Sequence, residues 1–250
     1  MAVQNVFKRY EIKYLLNREQ YNNLKTIMSL YMNSDEFGDT TICNLYYDTN
    51  SNEVIRRSIE KPLYKEKLRI RSYGVPSDDQ KVFVGLKKKF EGIVYKRRIS
   101  MLSNDVEILL NGNQEYDNQI AKEIRYYKSC YQDLVPAMFI AYKREAFFAK
   151  ENHEFRMTFD QEITYRDYDL SLESGVYGKQ LLDEDQILLE VKTAVGIPVW
   201  LRNYLSENKI YKTSFSKYGK IYQTNYETNN DYLKSLAFSR KREYTYAKYF

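Results

Sequence analysis

Polar and apolar residues alternate along much of this chain, and on one side of the alternation the polar residues are basic. In Lys67-Leu68-Arg69-Ile70-Arg71, Leu68 and Ile70 fall on one face of a predicted strand, and Lys67, Arg69 and Arg71 on the other. The same period predicts strands over residues 7–16, 40–48, 64–73, 136–147, 154–160 and 188–192. Residues 81–89 and 93–100 read as a hairpin turning at Glu91-Gly92. Helical spacing marks 18–32, with Asn17 as its cap, and also 51–59, 104–110 and 116–131. A further helix is predicted from Gly196-Ile197-Pro198 to Leu205, then closing helices over 214–226 and 230–238 before a basic tail at 239–250. No linker, repeat or shift in composition divides the chain. The pattern therefore predicts one α+β domain of antiparallel strands over residues 1–250.

Collected strand by strand, one face carries Arg9, Glu11 and Lys13; Lys67, Arg69 and Arg71; Lys87 and Lys89; and Lys96 and Arg98. Later strands add Arg144, then Glu154, Arg156 and Asp160, then Glu190 and Lys192. An ordinary half-exposed sheet mixes both signs on its wet side. Two like charges about 6 Å apart repel by about 3 kcal/mol at an effective dielectric near 20, so an enclosed interior this basic calls for an anion. Phosphate chains suit it, because Arg forks and Lys ammonium groups bind successive phosphoryl oxygens. Glu190, set between Leu189 and Val191, is the candidate ligand for a divalent ion, which commonly takes one or two carboxylates with substrate phosphates.

Composition narrows the choice. The 250 residues are 43% hydrophobic and 16% aromatic, with only 9 Gly and 4 Pro, as in a folded domain and not a low-complexity chain. Net charge is only +5, so what distinguishes the chain is how charge is sorted by face. The single histidine, His153, leaves no material for a Ser-His-Asp triad or a histidine metal centre. Cys43 and Cys130 make no disulfide framework, and no P-loop or glycine-rich phosphate loop is present. No apolar run approaches the ~18 residues of a membrane span, and the N-terminal stretch lacks a signal-peptide pattern, so a cytoplasmic setting is expected. Ser239-Arg240-Lys241-Arg242 reads as surface charge, with anchoring to RNA or a membrane as the alternative.

A series of motifs, in order, carries a family resemblance. They are Arg-Tyr-Glu-Ile-Lys at 9–13, Tyr-Tyr-Asp at 46–48, Leu-Arg-Ile-Arg-Ser-Tyr-Gly at 68–74, Lys-Lys-Lys at 87–89 and Val-Tyr-Lys-Arg-Arg at 94–98. Ala-Tyr-Lys-Arg-Glu-Ala-Phe at 141–147, Arg-Met-Thr-Phe-Asp at 156–160, Leu-Glu-Val-Lys at 189–192 and Phe-Ser-Lys-Tyr-Gly at 215–219 follow. Together, from about residue 5 to 225, they resemble VTC-type polyphosphate polymerase domains, a branch of the triphosphate tunnel metalloenzyme (CYTH-like) superfamily. The resemblance implies a closed eight-stranded antiparallel tunnel that binds ATP and polyphosphate or triphosphate with Mn²⁺ or Mg²⁺. It also implies transfer of the terminal phosphoryl group of ATP to a growing polyphosphate chain.

Matched position by position, the resemblance makes Lys13, Arg69, Arg71, Lys87, Lys96, Arg144 and Arg156 phosphate ligands. Tyr142, Ser216 and Lys217 complete the phosphate contacts, and Glu190, supported by Glu11, carries the metal. Lys67, Lys89, Arg98 and Lys192 extend the substrate-binding face by alternation. The chain departs from its relatives at Arg9 and Gly85, where they commonly have Glu, and at Ser214, where the eukaryotic polymerase has Lys. Three other readings stay open. Water as acceptor gives a triphosphatase or polyphosphatase, and the side chain missing at Gly85 points to a non-catalytic polyphosphate-binding scaffold. Tyrosines stacking on bases would give a nucleic-acid binder, but Tyr10 and Tyr14 fall on the apolar side and no specific nucleic acid is expected.

Overall fold

The computed structural model describes residues 10–91, 93–112, 114–131 and 133–226. The chain divides after Ser214 into two compact units, and the first carries all the strands among the described residues. β1 (Tyr10–Leu16) leads into α1 (Arg18–Tyr31), which starts where Asn17 closes a capping box. Asn17 Oδ1 accepts from the Gln20 amide at 2.8 Å, and Gln20 Oε1 accepts from the Asn17 amide at 3.0 Å. β2 (Met32–Ser34), β3 (Thr40–Asp48), α2 (Glu53–Ile59) and β4 (Tyr64–Tyr73) follow. The hairpin of β5 (Lys81–Phe90) and β6 (Ile93–Leu102) pairs Phe90 with Ile93, as expected from the sequence. Beyond α3 (Asp105–Asn111) and α4 (Gln119–Cys130) come β7 (Val135–Ala149), β8 (Arg156–Arg166), β9 (Lys179–Gln180), β10 (Ile187–Thr193), α5 (Val199–Glu207) and β11 (Lys212–Thr213). In the second unit the described residues form a helix over 217–226, capped by Ser216 Oγ accepting from the Gly219 amide at 3.3 Å. Residues 7–9, the expected helix at 230–238 and the tail at 239–250 lie outside the described residues.

Several boundaries differ from expectation for local reasons. α4 starts three residues later than predicted because Asn118 Oδ1 takes the amides of Ile120 and Ala121. β8 starts at Arg156, since Asn152 turns the chain by accepting from the Glu154 amide, which leaves Glu154 outside the strand. β8 then continues past Asp160 to Arg166 through a bulge where Glu162 has φ 49°, opposite a register shift between Ala141 and Lys143 of β7. α5 begins after an extended Pro198, not at Gly196.

A single antiparallel path runs β11-β1-β10-β8-β7-β3-β4-β5-β6, with β2 added on β7 and β9 on β8. The closed eight-stranded tunnel expected from the sequence is therefore corrected: the described residues form an eleven-stranded sheet whose hydrogen-bonded path is open. At one end β6 presents Lys96, Arg97 and Arg98, all exposed, and such charges blunt an edge against further pairing. The sheet nevertheless bends back on itself. β1 and β5 stand far apart along the path, yet Lys87 Nζ lies 3.7 Å from Glu11 Oε2.

Apolar residues occupy the outer side of this bend. Leu45 on β3, Leu68 and Ile70 on β4, and Val82, Val84 and Leu86 on β5 pack with Leu109 of α3 and with Ile124 and Tyr127 of α4. On the other half, Tyr14 and Leu16 of β1, Met157 and Phe159 of β8, and Leu189 and Val191 of β10 pack with Leu24 and Met28 of α1 and Leu201 of α5. Each such side chain, fully buried, stabilises the fold by roughly 1.5–3 kcal/mol. Because the helices cover the outside, the inner face is left to polar residues. The core lies around the channel, not in it.

Candidate functional site

Strand register stacks the inward side chains in rows. Lys67, Lys87 and Lys96 are direct neighbours across β4, β5 and β6. The next row is Tyr46, Arg69, Gly85 and Arg98, followed by Asn44, Arg71 and Phe83. On the facing wall, Glu11, Lys192 and Arg156 form one row, and Lys13, Glu190 and Thr158 the next. Arg144 lies between Thr40 of β3 and Asp160 of β8.

The site is a lattice of opposed charges with an excess of cations. Lys13 Nζ lies 3.5 Å from Glu11 Oε1 and 3.7 Å from Glu190 Oε2, while Lys192 Nζ lies 2.7 Å from Glu190 Oε1. Burial disfavours the Glu190 charge, but Lys192, Lys13 and Arg144 more than compensate and hold its carboxyl well below the usual range. The same carboxylates, against burial, hold Lys13 above the ordinary lysine value. Arg144 clamps the fully buried Asp160 in a two-pronged pair, Nε to Oδ1 at 2.6 Å and Nη2 to Oδ2 at 2.7 Å. Arg71 donates to Asn44 Oδ1 at 3.0 Å and to the Tyr142 hydroxyl at 3.2 Å.

Rows without carboxylates behave differently. Burial, with Lys87, Lys65 and Arg69 nearby, pushes the Lys67 ammonium down to about 8 despite the opposing pull of Tyr46. Lys96 stands at the exposed edge strand, and partial desolvation with the charges of Lys192 and Lys87 lowers it to about 8 as well.

The donor set suits a hard divalent ion. Glu11 and Glu190 flank one ammonium, and Thr158 Oγ1, beside Glu190 in the register, is buried with no hydrogen-bond partner. Carboxylate and hydroxyl oxygens are the ligands Mg²⁺ and Mn²⁺ take. Among the described residues no three His, Cys, Asp or Glu side chains form a metal cage, so phosphate oxygens would have to complete the shell.

The channel brings together Glu11, Lys13, Lys67, Arg69, Arg71, Lys87, Lys96, Tyr142, Arg144, Glu190 and Lys192 from the sequence reading. Lys89 and Arg156 keep inward register but are exposed, and Arg156 Nε donates to the His153 carbonyl at 3.3 Å. The Arg98 guanidinium sits 4.6 Å from the Phe83 ring centroid. Ser216 and Lys217 belong to the second unit, at the start of its helix. Sequence reasoning missed Asn44, Tyr46 and Thr158, and the pairing of Asp160 with Arg144. β3 is buried on both faces over most of its length, and its inward positions Asn44 and Tyr46 carry no formal charge, so nothing in the sequence marked that face as part of the site.

The sequence profile of the VTC domain matches residues 8–226. No curated protein matches the chain by sequence. Among solved structures, the fold is similar to that of a candidate adenylate cyclase from Bacillus halodurans, with a TM-score of 0.54 and 13% identity over 85% of this chain and 96% of that one. A candidate adenylyl cyclase from Hippeastrum, described as having a dominant triphosphatase activity, aligns with a TM-score of 0.49 and 15% identity over 84% of this chain and 93% of that one.

Proposed function

Since the chain belongs to the VTC domain family, within the triphosphate tunnel metalloenzymes, we propose that it is an ATP-dependent polyphosphate polymerase. The observation that carries this reading is the convergence of Arg69, Arg71 and Arg144 with Lys13, Lys67 and Lys87 on one channel. Phosphoryl transfer asks mainly for positioning and for neutralisation of charge on non-bridging oxygens, which such a lining supplies without a side-chain nucleophile. In this reading Arg69, Arg71 and Arg144 grip the triphosphate of ATP. The lysine row of Lys67, Lys87 and Lys96 holds the acceptor phosphate chain, with Lys89, Arg98, Arg156 and Lys192 extending the path at the exposed ends. Glu190 and Glu11, with the Thr158 hydroxyl, would hold a divalent ion, whose charge stabilises the transferring phosphoryl group.

Incubation of the pure protein with ATP and Mn²⁺ or Mg²⁺ tests this, read on a gel and by product analysis. A ladder of polyphosphate with release of ADP is expected. Phosphate released without polymer would replace the polymerase by a hydrolase. Tight binding of tripolyphosphate with neither product would leave a binding scaffold.

A further inference from the structure

Tyr46 has no role in the reading above, yet it sits in the middle of the cation rows. Its ring is buried, its hydroxyl lies 3.3 Å from Arg69 Nη1, and the Arg69 guanidinium carbon is 5.7 Å from the ring centroid. In the register Tyr46 is directly opposite Arg69, with Lys67 and Arg71 two residues to either side on the same face of β4. From β1 Lys13 also interacts with it, and from β7 Tyr142 and Arg144 stand over the same arginines. The carboxylates of the channel are engaged elsewhere: Glu11 with Lys13 and Lys87, Glu190 with Lys13 and Lys192, and Asp160 with Arg144. Two phenols are therefore set against the β4 cations: Tyr142 against Arg71, and Tyr46, directly opposite Arg69, between Lys67 and Arg71.

We propose that Tyr46 is a positioning residue whose phenolate holds Arg69 and balances the β4 cations in the empty channel, and which takes up a proton when phosphate enters. The inference rests on the proposed phosphate-binding function and adds to it a proton linked to substrate capture. The exchange balances simply. The Arg69 guanidinium transfers its hydrogen bond from the phenolate oxygen to a phosphoryl oxygen, and the phenolate, now beside an anion, binds one proton from water or buffer. Burial alone would raise the phenol, but Arg69, Lys67 and Arg71 bring it down to about 7, against an ordinary 10. Proton uptake on binding therefore spans the window from about 7 toward 10, and this contribution to affinity falls as pH rises through it.

Lys67 and Lys96 also titrate near 8, so total proton uptake does not identify the group. The ultraviolet band of tyrosinate does. The test titrates the whole protein with tripolyphosphate at about pH 8.5, reading binding by calorimetry and tyrosinate by difference absorbance. The expected result is loss of one tyrosinate equivalent per chain on saturation, and none in Tyr46→Phe. Arg69→Gln, which keeps the phenol, should move the onset of the band in the empty protein to higher pH. This second variant keeps the test sharp if Tyr46→Phe folds poorly. Binding with no change in the tyrosinate band, or the same change in Tyr46→Phe, overturns the inference and leaves phosphate binding standing. Absence of any binding removes both together.

Discussion

Replacing Lys67 by Met should make the empty protein more stable, although it removes a side chain proposed to bind substrate. Met keeps the length of the stem and discards the charge. Lys67 is partly buried beside Lys87, its direct neighbour on β5, with Lys65 and Arg69 on its own face of β4. Burial first, then those charges, bring it from the ordinary 10.5 to about 8 even though Tyr46 pulls the other way. At about 1.4 kcal/mol for each tenfold change in a proton equilibrium, this corresponds to about 3 kcal/mol of net unfavourable interaction for the charged form, an upper bound at a partly solvated site. The unfolded chain keeps the Lys67 proton to near 10.5 and the folded chain releases it near 8. Between these values the unfolded state holds more protons, so wild-type stability rises with pH. The advantage of Lys67→Met should thus be full at pH 7, up to roughly 6–12 °C in the unfolding midpoint, and should fade by about pH 10. Urea unfolding at both pH values, with and without tripolyphosphate, measures it. Ligand at 100 times its dissociation constant adds about 2.7 kcal/mol, and weaker binding by the variant should narrow or reverse the gap. A variant less stable than wild type at pH 7, or a gap of equal size at pH 10, refutes the reasoning.

Two further outcomes follow from the paired carboxylates. Asp160→Asn leaves Arg144 without its buried counter-charge and should cost about 3–5 kcal/mol in urea unfolding, partly restored by tripolyphosphate; a loss under about 1 kcal/mol contradicts this. Glu190→Gln should lower turnover at least ~100-fold while calorimetric binding of tripolyphosphate persists, because Lys13 and Lys192 remain; near-normal turnover places the metal elsewhere.

The strands and their charged faces could be read from the sequence wherever one face was wet. β4 and β5 show their period of two openly, and the inward set Lys67, Arg69, Arg71 and Lys87 is the one alternation predicts. Asn17 announced α1 because capping is local chemistry. The open path was not legible, since whether β6 meets β1 depends on the accumulated bend of the whole sheet. β2, β9 and β11 have only two or three residues, too few to display a period. The segment after β8 was equally silent. It is ordered around buried Arg166, which donates to the carbonyls of Asp169, Ser171, Gly175 and Tyr177, and one arginine gathering backbone oxygens leaves no pattern in the sequence.

The two apolar clusters meet along β7, which gives Phe139 and Ala141 to one and packs Phe147 and Ala149 against the other, with its register shift at the junction. Opposite that junction, among the described residues, the two halves touch through Lys87 and Glu11 and share no strand ladder. Along this side an ion pair stands where neighbouring strands elsewhere in the sheet are joined by a row of backbone hydrogen bonds. The molecule therefore has a spine and a clasp. Under the proposed function, a long phosphate chain need not be threaded end-first through such a body. A chain meeting this side would compete, through its own charge, with Glu11 for Lys87.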